Sequence, residues 1–179
     1  MTKQTFSLKP FLSPESAPDL TITGNISREN NQLAITYQLT GDLKQVVIPP
    51  LVDIPNRKNE LWENTCFEFF LGVQNSSRYW EFNLSPAGDW NIYRFDDYRR
   101  GMQEETAFNQ LPFIVQSHPD SLMLSLNFDL NKIIPSVQAL EVAITTVVKQ
   151  RDNHVTYWAL VHKGAEADFH LRDSFIIIL

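Results

Sequence analysis

Side chains suited to binding a sugar ring are concentrated in the middle third of the 179-residue chain. Eleven of the 21 aromatic residues and three of the four tryptophans lie between Trp62 and Met102, interspersed with acidic, amide and arginine side chains. The C–H faces of a sugar stack on flat aromatic rings, and its hydroxyls bond to planar polar groups. A β-sandwich core is also rich in aromatic residues, so the strand pattern must separate the two uses.

Two of these tryptophans lie at predicted strand edges. Trp62 immediately precedes a strand, and Trp90 follows the turn at Gly88-Asp89. An indole in such a position either stacks on a ligand or closes the end of the core. The charged segment from Asp96 to Gly101 either rims a cleft or forms a solvated turn, and Tyr98 lies within it.

Glu68 is the unusual residue of the aromatic run. It lies within the strand Glu63–Gly72, and a carboxylate on a half-buried sheet face needs hydrogen-bonding or charged partners. Arg94, or another arginine that points inward, is a candidate partner. A buried ion pair without a ligand is the alternative explanation.

Alternation along the strands assigns these side chains to two faces. In Tyr79–Ser85, we assign Trp80, Phe82 and Leu84 to the core, with Glu81 and Asn83 on the opposite face. In Glu63–Gly72, the same rule places Glu68 and Cys66 opposite Phe67 and Phe69. Glu68 and Glu81 are therefore predicted to share one face of the sheet.

The rest of the chain is typical of an all-β protein. Short β-branched and aromatic runs are separated by turn residues, and the chain contains 10 prolines. The predicted strands are 20–24, 32–40, 46–48, 63–72, 79–85, 89–95, 113–116, 122–128, 141–149, 155–161 and 175–179. Residues 25–31 are predicted as a polar break, 10–18 as an irregular arm and 129–134 as a helical turn. We predict an antiparallel β-sandwich, immunoglobulin-like or jelly-roll, in a single domain spanning residues 1–179.

Composition excludes several classes of function. The net charge of −6 and the scattered basic residues argue against nucleic acid as a partner. The single cysteine, Cys66, excludes an internal disulfide and a multi-cysteine zinc site. No segment has the length of apolar sequence that a membrane span needs, and no export signal is visible, so we expect a cytoplasmic protein with no membrane partner.

Three segments carry a resemblance to known modules. Leu61-Trp-Glu-Asn-Thr-Cys-Phe-Glu-Phe-Phe-Leu-Gly72 resembles the Trp-x5-Glu signature of family 9 carbohydrate-binding modules and the related DOMON domains. The segment Tyr79–Tyr93 resembles their next hairpin. Tyr157-Trp-Ala-Leu160 and Asp168-Phe-His170 resemble the closing motifs of bacterial DOMON-like proteins.

The resemblance implies a β-sandwich that binds a saccharide between two tryptophans, without catalysis. Trp62 would be the first stacking platform, Glu68 a hydroxyl acceptor and Arg94 the arginine, while Trp158 is the candidate for the second platform. The remaining predicted ligand-binding residues are Asn83, Trp90, Tyr98 and His170. Because we expect a free-standing chain without an export signal, a soluble mono- or oligosaccharide, or another polar metabolite, is the expected partner.

Two other functions stay open. Some DOMON relatives bind haem through Met and His ligands, for which Met102, His162 and His170 are the candidates. A glycan-active enzyme would need two carboxyls facing a cleft, and Glu68 with Glu81 is the candidate pair. We expect no cofactor, although the calcium-binding carboxylates of the family cannot be placed in this sequence.

Overall fold

A computed structural model describes residues 2–11, 17–135 and 138–179. Helical structure within these ranges is confined to short 3-10 turns, at Leu43–Gln45, Leu61–Glu63, Leu130–Lys132 and Arg172–Ser174. The strands are β1 (Thr2–Ser7), β2 (Lys9–Pro10), β3 (Leu20–Glu29), β4 (Gln32–Gly41), β5 (Cys66–Val73), β6 (Tyr79–Leu84), β7 (Trp90–Phe95), β8 (Gln103–Glu104), β9 (Phe113–Ser117), β10 (Ser121–Asp129), β11 (Leu140–Lys149), β12 (Val155–Ala159) and β13 (Ile177–Ile178).

The described strands form two antiparallel sheets. The smaller sheet has the order β1-β3-β4-β10-β9, and the larger has the order β2-β12-β11-β5-β6-β7-β8, with β13 paired to β11. All pairs of named strands are antiparallel. The prediction of an all-β antiparallel sandwich is confirmed.

The main core fills the space between the two sheets. The smaller sheet contributes alternating residues such as Ile35 and Tyr37, and the larger sheet contributes Phe69 and Phe82, whose rings stack with centroids 4.4 Å apart. The Tyr37 hydroxyl, fully buried in this core, donates a hydrogen bond of 2.7 Å to the Glu68 carbonyl oxygen. The predicted core positions of Trp80, Phe82 and Leu84 are confirmed.

The strand predictions were wrong in a few places. β1 was not predicted, because its sequence is polar apart from Phe6, which is buried. The predicted break at 25–31 is largely strand, since β3 continues to Glu29 before Asn30 and Asn31 turn the chain with positive φ. The predicted strand 46–48 reduces to one bridge, between Val46 and Gln150. Within the predicted arm 10–18, residues 12–16 lie outside the described residues.

The larger sheet is also covered on its outer face, the one turned away from the smaller sheet. A second apolar cluster lies there, formed by Phe70, Tyr79, Tyr93, Phe95, Ala143 and Phe175. Phe175 belongs to the C-terminal segment, 164–176, which crosses this face and contacts the cluster. Both faces of β5, β6 and β7 are therefore buried.

No helix in the described ranges has the length and hydropathy needed to cross a membrane.

Candidate functional site

A cavity of about 440 Å³ opens on the outer face of the larger sheet. We call it the outer-face cavity. Its lining comes from the sheet itself, from the loop after β7 and from the C-terminal segment: Trp62, Glu68, Phe70, Glu81, Phe95, Arg99, Met102, Val147, Tyr157, Ala167, Phe169 and His170. Its volume is within the range of small-molecule sites, and its walls combine aromatic rings with a few polar groups.

Two carboxyl groups form the polar floor of the cavity. Glu68 on β5 pairs in register with Asn83 on β6, and Glu81 pairs with Phe70, so the two glutamates are diagonal neighbours on one face. Their exposures are only 2% for Glu68 and 5% for Glu81. The alternation rule therefore predicted their shared face correctly.

The floor carboxyls are only partly satisfied by hydrogen bonds. Asn83 Nδ2 donates to Glu81 Oε1 at 2.9 Å, and the Thr145 hydroxyl donates to Glu68 Oε2 at 3.4 Å. Glu68 Oε1 is buried and has no hydrogen-bond partner among the described residues. A buried polar atom without a partner is costly, so this oxygen is a position at which a ligand would be stabilised.

Burial changes the protonation of both floor carboxyls. Removal from water raises the pKa of Glu81 to about 7, against the smaller opposing effect of the Asn83 hydrogen bond. Burial, and then the nearby Glu81 charge, raise the pKa of Glu68 well above its ordinary value. Both carboxyls therefore hold a proton more tightly than an exposed glutamic acid does, and a protonated carboxyl donates as well as accepts hydrogen bonds.

His170 forms part of the wall above Glu81. Its Nδ1 lies 2.8 Å from the Tyr79 hydroxyl, and its Nε2 lies 3.8 Å from Glu81 Oε2. The Tyr79 oxygen also accepts the backbone N–H of Arg99 at 3.2 Å, which leaves its own hydrogen for His170 Nδ1. Burial lowers the pKa of His170 to about 4, so the imidazole is neutral at pH 7 and its remaining proton is directed toward Glu81.

An ion pair ties together the two loops at the rim. Arg99 Nη2 donates to Asp168 Oδ1 at 2.9 Å, and the Tyr98 hydroxyl donates to Asp168 Oδ2 at 2.5 Å. The bonds with Tyr98, His170 and Arg99 lower the pKa of Asp168 despite partial burial. This pairing holds the loop after β7 against the C-terminal segment and places the Arg99 guanidinium at the mouth of the cavity.

Aromatic rings form the apolar walls. The Trp62 indole is half-buried and packs edge-on against Tyr93, with centroids 5.7 Å apart. Tyr157 is 42% exposed, and its ring packs against Phe169 at 6.0 Å. Trp62, Phe169 and Tyr157 are therefore the partly exposed aromatic residues of the cavity lining.

The structure brings together part of the set predicted from the sequence. Trp62, Glu68 and His170 all line the cavity. Asn83 is fully buried beneath it and acts indirectly, by orienting Glu81. Tyr98 lies on the rim, where it binds Asp168.

Three predicted ligand-binding residues, Trp90, Trp158 and Arg94, lie outside the outer-face cavity. Trp90 is 2% exposed in the main core, with the Arg57 guanidinium 4.4 Å above its ring. Trp158 is 3% exposed in the same core, because parity on β12 turns it inward and Tyr157 outward. Arg94 shares the parity of the core residue Ile92, so it projects from the opposite face to Glu68 and cannot be its partner.

Arg94 bonds instead to Gln103 Oε1, at 2.8 Å. The arginine that the site does contain, Arg99, was not singled out in the sequence. Met102, Tyr157 and Phe169 were likewise missed as lining residues. Parity on β12 could have identified Tyr157, whereas nothing in the sequence indicates which loop residues fold over the sheet.

The donor set of the cavity fits a haem group poorly. Met102 and His170 both line it, but His162 lies elsewhere, with its Nε2 2.8 Å from the Lys9 carbonyl oxygen. His170 Nδ1 lies 2.8 Å from the Tyr79 hydroxyl and its Nε2 lies 3.8 Å from Glu81 Oε2, so both ring nitrogens already have polar neighbours. In the described ranges no group of three or more His, Cys, Asp or Glu side chains converges as a metal site requires.

Comparison with known proteins finds similarity in structure. No family model and no curated protein matches the sequence. A chain from Bacteroides uniformis ATCC 8492, described as a "putative carbohydrate-binding protein", superposes with a TM-score of 0.72 and 13% identity, covering 97% of this chain and 84% of that chain. A family 9 carbohydrate-binding module from Caldicellulosiruptor kristjanssonii, in complex with cellotriose, superposes with a TM-score of 0.51 and 9% identity, covering 90% and 74%.

At such low sequence identities, the structural similarity is evidence for the fold alone. It confirms the resemblance to family 9 modules at that level, while the DOMON relationship stays a prediction. The chain has the fold of a family 9 carbohydrate-binding module.

Proposed function

We propose that this protein binds a mono- or short oligosaccharide in the outer-face cavity, by equilibrium binding without catalysis. The observation that carries the proposal is the unpartnered Glu68 Oε1, buried at the floor of an aromatic-walled cavity. A ligand hydroxyl placed there supplies the missing hydrogen bond. Two of the protein's structural neighbours support this proposal, since one is a family 9 carbohydrate-binding module in complex with cellotriose and the other is described as a "putative carbohydrate-binding protein".

The cavity has aromatic side chains for the C–H faces of a sugar and polar side chains for its hydroxyls. Trp62 and Tyr157 offer flat faces to the C–H groups of a pyranose ring. Below them, Glu68 and Glu81 accept or donate to hydroxyls, and Arg99 at the rim adds guanidinium donors. A hydrophobic ligand would leave these polar groups desolvated and unpaired, which disfavours it relative to a polyol.

The arrangement of the carboxyls favours binding over hydrolysis. Glycoside cleavage uses one ionised and one protonated carboxyl on opposite sides of the scissile bond. Glu68 and Glu81 instead rise from adjacent strands of one sheet face, beneath a ligand. Burial raises the pKa of both, so neither is held reliably as the carboxylate that the reaction requires.

Isothermal titration calorimetry with glucose, cellobiose and cellotriose tests the proposal. Removal of the Trp62 ring by Trp62→Ala should weaken binding about tenfold or more, since stacking and area burial are lost together. Trp62→Phe should retain much of the affinity, and Ile114→Ala, at an exposed site on the smaller sheet, should retain all of it. Equal affinity of wild type and Trp62→Ala for every sugar that binds would overturn the site assignment.

A further inference from the structure

We propose that the preferred ligand of the outer-face cavity is an amino sugar, whose protonated amine binds between Glu68 and Glu81. This inference rests on the proposed function and names the ligand class. It follows from the lack of a counter-ion: two buried carboxyls face the cavity, no described cation forms an ion pair with Glu68, and the one ion-pair contact of Glu81 among the described residues is with His170, at 3.8 Å.

None of the other charged groups around the floor supplies this counter-ion. Arg99 reaches the rim, but its guanidinium is paired with Asp168 at 2.9 Å. His170, 3.8 Å from Glu81, is neutral at pH 7 because burial lowers its pKa to about 4. Lys149 lies further along β11 and donates to the carbonyl oxygen of Glu63 at 3.3 Å.

The remaining neighbours of the two carboxyls are uncharged at neutral pH. Tyr79 and Tyr93 have pKa values raised to about 12, chiefly by burial. The Cys66 thiol is fully buried, and burial raises its pKa. Cys66 and Thr145 are hydrogen-bonding neighbours of Glu68, and Asn83 donates to Glu81, so these contacts bring no cation to the carboxyls. A ligand cation is therefore the group that would complete the site.

An ammonium group matches both parts of the cavity. Its three N–H donors can reach the unpartnered Glu68 Oε1 and the Glu81 carboxyl, in bonds that are stronger than those of a neutral hydroxyl. The ring faces of Trp62, Phe70 and Phe95 line the same space and attract a cation through their quadrupoles. A neutral sugar gains the stacking but cannot form charged hydrogen bonds with the carboxyl pair.

Binding of a cation must also change the protonation of the floor. The approaching ammonium favours the ionised carboxyls, so the proton that Glu81, with a pKa of about 7, partly holds at neutral pH is released to the buffer. A neutral sugar produces no such release. The number of protons released per bound ligand therefore distinguishes binding of a cation at the carboxyls from a general change in affinity.

The test is calorimetry with glucosamine, glucose and N-acetylglucosamine at pH about 7, in two buffers of different ionisation enthalpy. We expect glucosamine to bind about tenfold or more tightly than glucose, with proton release, because charged hydrogen bonds contribute more than neutral ones. N-acetylglucosamine, which has the substituent without the charge, should bind no better than glucose. Glu81→Gln and Glu68→Gln should each reduce the preference for glucosamine, whereas Glu29→Gln, an equal change of charge on the smaller sheet, should not.

The outcomes separate this inference from the proposed function. If no sugar binds, the proposed function itself is overturned. If glucose and glucosamine bind equally and without proton release, only the preference for an amino sugar is overturned. The preference for an amino sugar is also overturned if both glutamine variants still bind glucosamine more tightly than glucose. If a variant fails to fold, the comparison of glucosamine with glucose on the wild-type protein still tests the inference.

Discussion

The hydroxyl of Tyr79 lies 2.8 Å from Nδ1 of His170, across the boundary between the sheet and the segment that covers it. Tyr79 belongs to β6, and the same oxygen accepts the backbone N–H of Arg99 from the loop after β7. One phenol therefore connects the floor of the cavity to both of the loops that form its walls. The site is built as much by these covering segments as by the strands beneath them.

Removal of this hydroxyl should loosen the walls. Tyr79→Phe leaves His170 Nδ1 and the Arg99 N–H without their partner, at a cost of about 1–3 kcal/mol in the free energy of unfolding. Saccharide affinity should fall as well, since His170 and Arg99 line the cavity. Urea denaturation and calorimetry measure the two effects. Tyr157→Phe, which removes a hydroxyl from an exposed ring, serves as the control and should leave the stability within about 0.5 kcal/mol of wild type.

Gly72 provides a second anchor for the C-terminal segment. A Cβ at this position would lie 2.0 Å from Arg172 Nη1, so the guanidinium lies directly on the glycine. Arg172 also bonds to Glu141 at 2.7 Å and to the Val73 carbonyl oxygen at 2.8 Å. Gly72→Ala must displace this network, and we expect a loss of about 1–3 kcal/mol of stability.

A double-mutant cycle isolates the contact. If Gly72→Ala acts by expelling Arg172, it should cost much less in the background of Arg172→Ala, where the guanidinium is already absent. Thermal denaturation of the four proteins gives the coupling. Additive losses would show that Gly72 is required for a reason other than the overlying arginine.

Strand alternation accounts for much of what could be predicted from the sequence. It placed Glu68 and Glu81 on one face and Trp80 and Phe82 in the core, because side chains on a strand alternate strictly between its two faces. The same rule applied to β7 would have excluded Arg94, whose parity follows that of Ile92. Arg94 was predicted from its position in the family motif, whereas strand alternation places it on the face opposite to Glu68.

The covering segments could not be predicted in this way. Arg99, Phe169 and His170 belong to loops, where neither periodicity nor hydropathy indicates which surface a residue will contact. Trp62 was identifiable because it lies beside a strand edge within a family motif. The single-domain organisation, the cytoplasmic location and the absence of a cofactor stay predictions.

Neighbouring residues on β12 should respond in opposite ways to truncation. Trp158→Ala removes an indole from the main core and should cost about 3–5 kcal/mol of stability. Tyr157→Ala removes a cavity wall from an exposed position, so it should weaken sugar binding with only a small loss of stability. Denaturation and calorimetry on both variants distinguish the roles. A Trp158→Ala protein that is fully stable yet fails to bind would restore Trp158 as the second platform.

The floor carboxyls should make stability depend on pH. Burial raises the pKa of folded Glu81 to about 7, whereas in the unfolded chain it titrates near 4.3, the ordinary value. The folded state therefore holds the proton more tightly, and the resulting stabilisation, complete below the ordinary pKa, is lost as pH rises through about 7. Glu81→Gln has no proton to lose. From about pH 4.5 to pH 8, its unfolding free energy should improve relative to wild type by up to about 3 kcal/mol.

The titration of His170 changes the stability with pH in the opposite direction to that of Glu81, but it does not affect the comparison of wild type with Glu81→Gln. Burial lowers its folded pKa to about 4, so its contribution is present above its ordinary value, 6.5, and is lost as pH falls through about 4. Since wild type and Glu81→Gln share His170, that contribution cancels in the difference between them. Urea denaturation across the pH range gives the difference directly. A flat difference for Glu81→Gln would mean that burial does not raise the pKa of Glu81 in the folded protein, and it would overturn this prediction.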